Sequence, residues 1–196
     1  MLYIYDTMKR DYIPFLPLHD KKVKMYVCGI TAYDFCHVGH ARASVVFDVI
    51  YRYLLYKGYD VTFVKNFTDV DDKIINRANK ENRSWQDVSR QFIREYYTDM
   101  EALYIKEPTF EPKASEHIRD MIEFIKKLIE KGYAYVSEGD VYFSVERLKD
   151  YGKLSHKKIE ELKAGARIEP SEKKKNPLDF APVSYTHLTL PTICSV

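Results

Sequence analysis

Between Val23 and Phe67 the chain reads strand, glycine-containing loop, helix, strand, and that succession limits its fold more than any other feature. Val23–Cys28 (VKMYVC) alternates loosely and is rich in strand formers. Gly29 to Gly39 reads as a loop. A helix is expected from near His40, with Val46, Val49, Ile50, Tyr53 and Leu54 spaced as one buried face. Lys57-Gly58 supplies a last-turn cation and a terminating glycine. Tyr59–Phe67 (YDVTFVKNF) is the second strand. Two strands joined through a helix form a βαβ unit, parallel and right-handed. Ligands of such sheets bind beyond the carboxyl ends of the strands.

The flanks are mixed. The first 20 residues read as an irregular or short-stranded entry. Thr68–Asp72 makes an acidic turn, followed by helical patterns at 71–81 and 84–105, the second capped by Ser84-Trp-Gln-Asp87. Ser115–Lys131 predicts a helix with Ile118, Met121, Ile122, Ile125, Leu128 and Ile129 on one stripe and Gly132 at its end. Tyr133–Val136 and Val141–Val145 predict a hairpin with a longer loop. Arg147–Lys175 is charged, with a short helix expected near 156–163. Pro182–Val196 carries no Lys, Arg, Asp or Glu, although 31% of the chain is charged. It reads as a non-native tail, the alternative being an apolar C-terminal strand.

Composition removes several classes. A hydrophobic share of 45% and a net charge of +2 describe a globular chain without a global basic field for nucleic acid. A local patch, Lys173–Lys175 with Arg167 and Lys163, remains available. There is no apolar run of membrane-spanning length and no basic-then-apolar leader. Three cysteines, Cys28, Cys36 and Cys194, are too few for a disulfide scaffold and fit a reducing cytoplasm. No P-loop, G-x-G-x-x-G, Ser-His-Asp set or internal repeat is present.

Three places carry chemistry. His37-Val-Gly-His40 lies where a helix begins after a strand. Helix N-termini attract anions, Gly39 lets a nucleotide approach the backbone, and two imidazoles can donate to phosphate oxygens. The plain alternative is a pair of capping histidines. Cys28, at the strand end beside Gly29, is either a thiolate metal ligand or a small buried hydrophobe. With no C-x-x-C in the chain, local ligands cannot close a zinc site. Thr68 with Asp69, Asp71 and Asp72 lines the same crevice or caps the next helix.

The segments MYVCGIT (25–31), CHVGHAR (36–42), VKNFTDVDDKIINRAN (64–79), GDVYFSV (139–145), YGKLS (151–155), AGAR (164–167) and KNPLDFA (175–181) closely resemble the cysteinyl-tRNA synthetases, which are class I aminoacyl-tRNA synthetases. The likeness spans residues 1–181. It implies an α/β fold: a class I Rossmann-like (HUP-type) parallel sheet, incomplete here, with an inserted α+β connective region. It divides the chain into 1–100, the first half of the catalytic domain; 101–181, the connective region and the return towards that domain; and 182–196, the tail.

The resemblance further implies activation of cysteine by ATP, with Mg2+, and transfer to tRNA(Cys) in the cytoplasm by a protein that is monomeric at full length. His37 and His40 match the family's catalytic HIGH motif, with Val38 for the usual isoleucine. Thr31, His37, Gly39 and His40 would bind ATP, and Gly29 and Thr68 would border the cysteine. Cys28 matches a ligand of a Zn2+ that binds the substrate thiol directly, which a thiolate does far better than a serine hydroxyl. The roles of Asp69, Asp71 and Asp72 stay open between holding the substrate ammonium and shaping the loop.

The family's later zinc ligands, KMSKS loop and anticodon domain have no counterpart here. The chain is therefore expected to be a truncated fragment, inactive alone. Two other functions are compatible: a cysteine–amino-sugar ligase of mycothiol synthesis, and a non-catalytic synthetase-like binding module.

Overall fold

The computed structural model describes residues 2–157 and 173–181. Its elements in chain order are β1 (Tyr3–Asp6), β2 (Asp11–Pro14), β3 (Lys22–Val27), α1 (Val38–Tyr56), β4 (Asp60–Lys65), α2 (Asp72–Glu81), α3 (Trp85–Ala102), a 3-10 turn (Ala114–His117), α4 (Ile118–Glu130), β5 (Ala134–Ser137) and β6 (Asp140–Phe143). They fall into two compact units, Pro17–Ile118 and the combination of Met1–Leu16 with Arg119–Val196.

In the first unit β3 and β4 pair in parallel, Lys22 opposite Asp60 through Val27 opposite Lys65, with α1 as the crossover. This is the expected βαβ unit. A third segment that the sequence reading left unassigned lies along β4: the Lys65 and Phe67 amides donate to Phe110 and Pro112 carbonyls at 3.1 and 2.9 Å. Among the described strands, β3 pairs only with β4. The core lies beyond the carboxyl ends of these strands, where Ile30, Ala32 and Phe67 meet Ile74 and Ala78 of α2 and Val88, Phe92, Tyr96 and Met100 of α3. Asp71 caps α2 by accepting from the Lys73 amide at 2.9 Å. Ser84 caps α3 by accepting from the Asp87 amide at 3.1 Å, as the sequence predicts.

Helix α1 departs from expectation twice. It begins at Val38, two residues early, because His37 supplies the cap. Its covered face is not the apolar row: Ser44, Asp48, Tyr51 and Leu54 are buried, whereas Val45, Val46, Val49 and Tyr53 are 41, 49, 59 and 40% exposed. The inner face must meet polar groups. Asp48 accepts from Arg52 Nε at 2.7 Å and from the Lys106 amide at 2.9 Å, and Ser44 accepts from Lys65 Nζ. A purely apolar face there would deprive the buried Lys65 ammonium and the half-buried Lys106 amide of these acceptors. Only Leu54 of the expected set is fully covered.

In the second unit the entry segment forms an antiparallel hairpin, β1 with β2. The six stripe residues of α4 are its covered positions, with Ile125 the most buried, and the chain turns after Gly132 at φ +74°. β5 and β6 pair from Ala134–Phe143 to Ser137–Asp140, so the loop is only Glu138-Gly139. Both residues have positive φ, the two-residue hairpin geometry, and the longer loop expected from the sequence is replaced by this tight turn. The Phe180 carbonyl accepts from the Phe143 amide. Asp179, fully buried, accepts from the Tyr135 hydroxyl at 2.7 Å and the Val145 amide at 3.0 Å. The short helix expected near 156–163, the AGAR segment, Lys163, Arg167, Cys194 and the tail lie largely or wholly outside the described residues. No described helix is long and apolar enough to cross a membrane.

Candidate active site

The sequence-predicted residues gather at the carboxyl end of the parallel pair and at the start of the helix that leaves it. Cys28 follows β3 directly and is exposed, its Sγ 3.8 Å from the Gly29 carbonyl. Beyond it the two chains keep pairing: the Thr68 amide donates to the Ile30 carbonyl at 2.9 Å, and the Ala32 amide to the Thr68 carbonyl at 3.1 Å. Thr31 and Thr68 therefore sit opposite each other on a parallel bridge. Gly29 is required there by sterics. A β-carbon at this position would lie 1.5 Å from the Asn66 carbonyl oxygen.

Asn66 holds this corner, a role not assigned from the sequence. Its Oδ1 accepts from the Gly29 amide and from the Tyr26 hydroxyl, both at 2.9 Å. Burial and the neighbouring Cys28 push the Tyr26 hydroxyl up, so it stays a donor. No local sequence signal marks this role, because Gly29 and Asn66 lie 37 residues apart.

At α1 the two histidines close a reciprocal cap. His37 Nδ1 accepts from the Gly39 amide at 3.0 Å, and His40 Nδ1 accepts from the His37 amide at 3.2 Å. Their rings stack, centroids 3.9 Å apart and 23° between planes. A ring nitrogen that accepts carries no proton, so each neutral imidazole bears its hydrogen on Nε2. A β-carbon on Gly39 would come within 2.8 and 2.9 Å of the His37 ring and displace it from the cap. Partial burial, then His37 and Lys65, hold His40 below the ordinary histidine range. No acidic residue lies in the first turn of α1, so nothing there opposes an anion. The capping reading holds, and capping through Nδ1 leaves the Nε2 hydrogens uninvolved in the cap.

The aspartates divide. Asp69 is buried and accepts from the Ser115 amide at 2.9 Å and the Ser115 hydroxyl at 2.5 Å, joining the strand end to the 3-10 turn. Asp71 caps α2, and Asp72 is that helix's first residue. Cys28 is not joined by other ligands: no group of three His, Cys, Asp or Glu side chains among the described residues is placed to hold a metal ion. The described residues thus do not fit a zinc site.

A family profile described as the class I (C) tRNA synthetase catalytic domain matches residues 14–186. Among curated relatives, the cysteine–tRNA ligase of Thermodesulfovibrio yellowstonii is 59% identical over 91% of this chain and 37% of its own length. That of Geobacter sulfurreducens is 57% identical over 92% and 37%, and that of Aquifex aeolicus 56% over 92% and 36%. The chain thus spans little more than a third of these relatives. Among solved structures, a Mycobacterium tuberculosis methionyl-tRNA synthetase in complex with methionyl-adenylate superposes with a TM-score of 0.54 and 20% identity, over 58% of this chain and 23% of that one. That likeness is one of fold, and it agrees with the α/β architecture expected from the family profile.

Proposed function

The chain belongs to the class I cysteinyl-tRNA synthetase family, and from that premise we propose that it carries the ATP-facing part of a cysteine–tRNA ligase. The observation that carries this reading is the histidine pair. Two stacked imidazoles keep Nδ1 occupied by backbone amides and offer Nε2–H donors at a helix start on the carboxyl edge of a parallel pair.

In this reading the cysteine carboxylate attacks the α-phosphorus of ATP. A new carboxylate–phosphorus bond forms, the bond to the β-phosphate oxygen breaks, and pyrophosphate leaves. No general base is needed, because the nucleophile is already ionised. The protein contributes position and charge stabilisation. His37 and His40 donate to phosphate oxygens, the start of α1 favours the anion, Thr31 and Gly39 border the nucleotide, and Gly29 with Thr68 borders the cysteine. Mg2+ enters as the counter-ion of ATP. A hydroxyl of the terminal adenosine of tRNA(Cys) then attacks the acyl carbon, and AMP leaves. Cys28 would give zinc one thiolate, but the described residues supply no further ligands, so no step is assigned to the metal. The setting is the cytoplasm.

The domain reading is kept as part of the proposal. The edge of β3 that pairs with no described strand and the apolar outer row of α1 are surfaces that the remaining length of the relatives would cover, and a monomer is the expected full-length state.

Mg–ATP titrated into the isotope-labelled chain tests the nucleotide site. Movement of the His37 and His40 Cε1–H signals supports it. Signals that stay fixed while others move would overturn it.

A further inference from the structure

Strand β4 buries a lysine. Alternation turns Val61, Phe63, Lys65 and Phe67 inward, and Lys65 is only 9% exposed. Its Nζ donates to Ser44 Oγ at 3.1 Å and to the Tyr96 hydroxyl. Ser44 and Tyr96 are themselves buried, so one ammonium ties β4 to α1 and α3. None of the ion pairs among the described residues involves Lys65. Burying an ammonium carries a desolvation penalty, which two hydroxyl acceptors offset only in part. A methionine would fill the same space without that penalty, so the charge itself needs a reason.

Its position supplies one. Ser44 lies one helical turn beyond His40 on the same side of α1, about 6 Å along the axis. The charge acts on His40, with His37 stacked upon it, on Cys36 in the preceding loop, and on Glu111 in the segment beside β4. Glu111 is a weak counter-charge. Burial pushes its carboxyl up, and it already accepts from the Tyr97 hydroxyl at 2.7 Å. Two further carboxylates act nearby, Asp99 on Cys36 and Glu107 on Glu111, but none of the ion pairs among the described residues joins either to Lys65, and its charge is felt at His40.

We propose that Lys65 is a positioning residue of the nucleotide site, a fixed buried cation that anchors the first turns of α1 and adds positive potential beneath the His37–His40 pair. This rests on reading that pair as the phosphate contact. The site takes a polyphosphate anion, and Lys65 acts on it without touching it.

The test uses the intact chain with Lys65→Met, Lys65→Arg and, if the methionine chain fails to fold, Lys65→Gln, which can still bond Ser44 and Tyr96. His37 and His40 are titrated by their Cε1–H signals, and Mg–ATP affinity is measured by calorimetry. The neutral variants should titrate His40 at higher pH than the parent and bind ATP about tenfold more weakly. Lys65→Arg should restore both. A purely structural role would not raise the His40 titration in a folded neutral variant. An unchanged His40 titration in the neutral variants overturns the proposal. If the parent itself shows no ATP response at the two histidines, the nucleotide reading fails, while the titration still decides Lys65.

Discussion

Helices α1 and α4 both announce themselves by apolar residues at helical spacing, yet only α4 turns that row inward. In α4 the six predicted positions are the covered ones, while Phe124 on the other side is 64% exposed. In α1 the valines face out and a serine and an aspartate face in. Periodicity locates a helix, but the partner surface selects the covered face. The partner of α1 brings the Lys65 ammonium and the Lys106 amide, and both demand acceptors.

The largest effect should come from the element that obeys the rule. Ile125→Ala should cost about 3 kcal/mol by urea denaturation, whereas Phe124→Ser on the open side should stay within about 0.5 kcal/mol. Equal losses at the two positions would mean that the α4 stripe is not the covered face in solution.

The exception predicts the reverse chemistry. Asp48→Ala removes the acceptor of the Lys106 amide and of Arg52 and should cost about 2 kcal/mol, although it replaces a polar residue by a better helix former. Val49→Ser, which sequence periodicity alone would rank as the more damaging, should change stability by less than about 0.5 kcal/mol. A Val49 loss larger than the Asp48 loss would restore the periodic reading of α1.

The same contrast marks what could be read in advance. The βαβ unit, α2, α3 and the α4 stripe were legible because strand alternation, caps and terminating glycines are local signals. The placing of Cys28, Gly29 and Thr68 at the strand ends followed from the βαβ order alone. Lys65 was legible in principle, since it shares the parity of Val61, Phe63 and Phe67, but a lysine in a strand is usually assigned outward. The inward face of α1, the segment beside β4 and the grip of Asn66 on Gly29 depend on tertiary partners that no local window contains. The tight Glu138-Gly139 turn was missed because a glutamate with positive φ is unusual. Where the sequence left the aspartates open, the structure assigns Asp69 to Ser115 and Asp71 to a cap.

The smallest effect concerns how the two helices begin. The start of α1 is held by imidazole nitrogens, whereas His117 only precedes α4, at the end of the 3-10 turn, and no histidine lies within α4 from Ile118 to Glu130. His40 titrates lower when folded than at its ordinary value of 6.5, so the unfolded chain takes up its proton first. Its contribution is complete above that value and is lost as pH falls through it towards the lower folded pKa. Protonation at Nδ1 also removes the acceptor of the His37 amide, so the loss should concentrate in the first turn of α1. Amide hydrogen exchange compared at about pH 7.5 and about pH 5.5, after correction for intrinsic rates, should show reduced protection at the start of α1 and none of that change within α4. His40→Gln should reduce the pH dependence at α1, and replacing His37, the other capping imidazole, as well should abolish it. A parallel loss in both helices would trace the acid sensitivity to the chain as a whole, and the distinction between a histidine-held helix start and an ordinary one would fall.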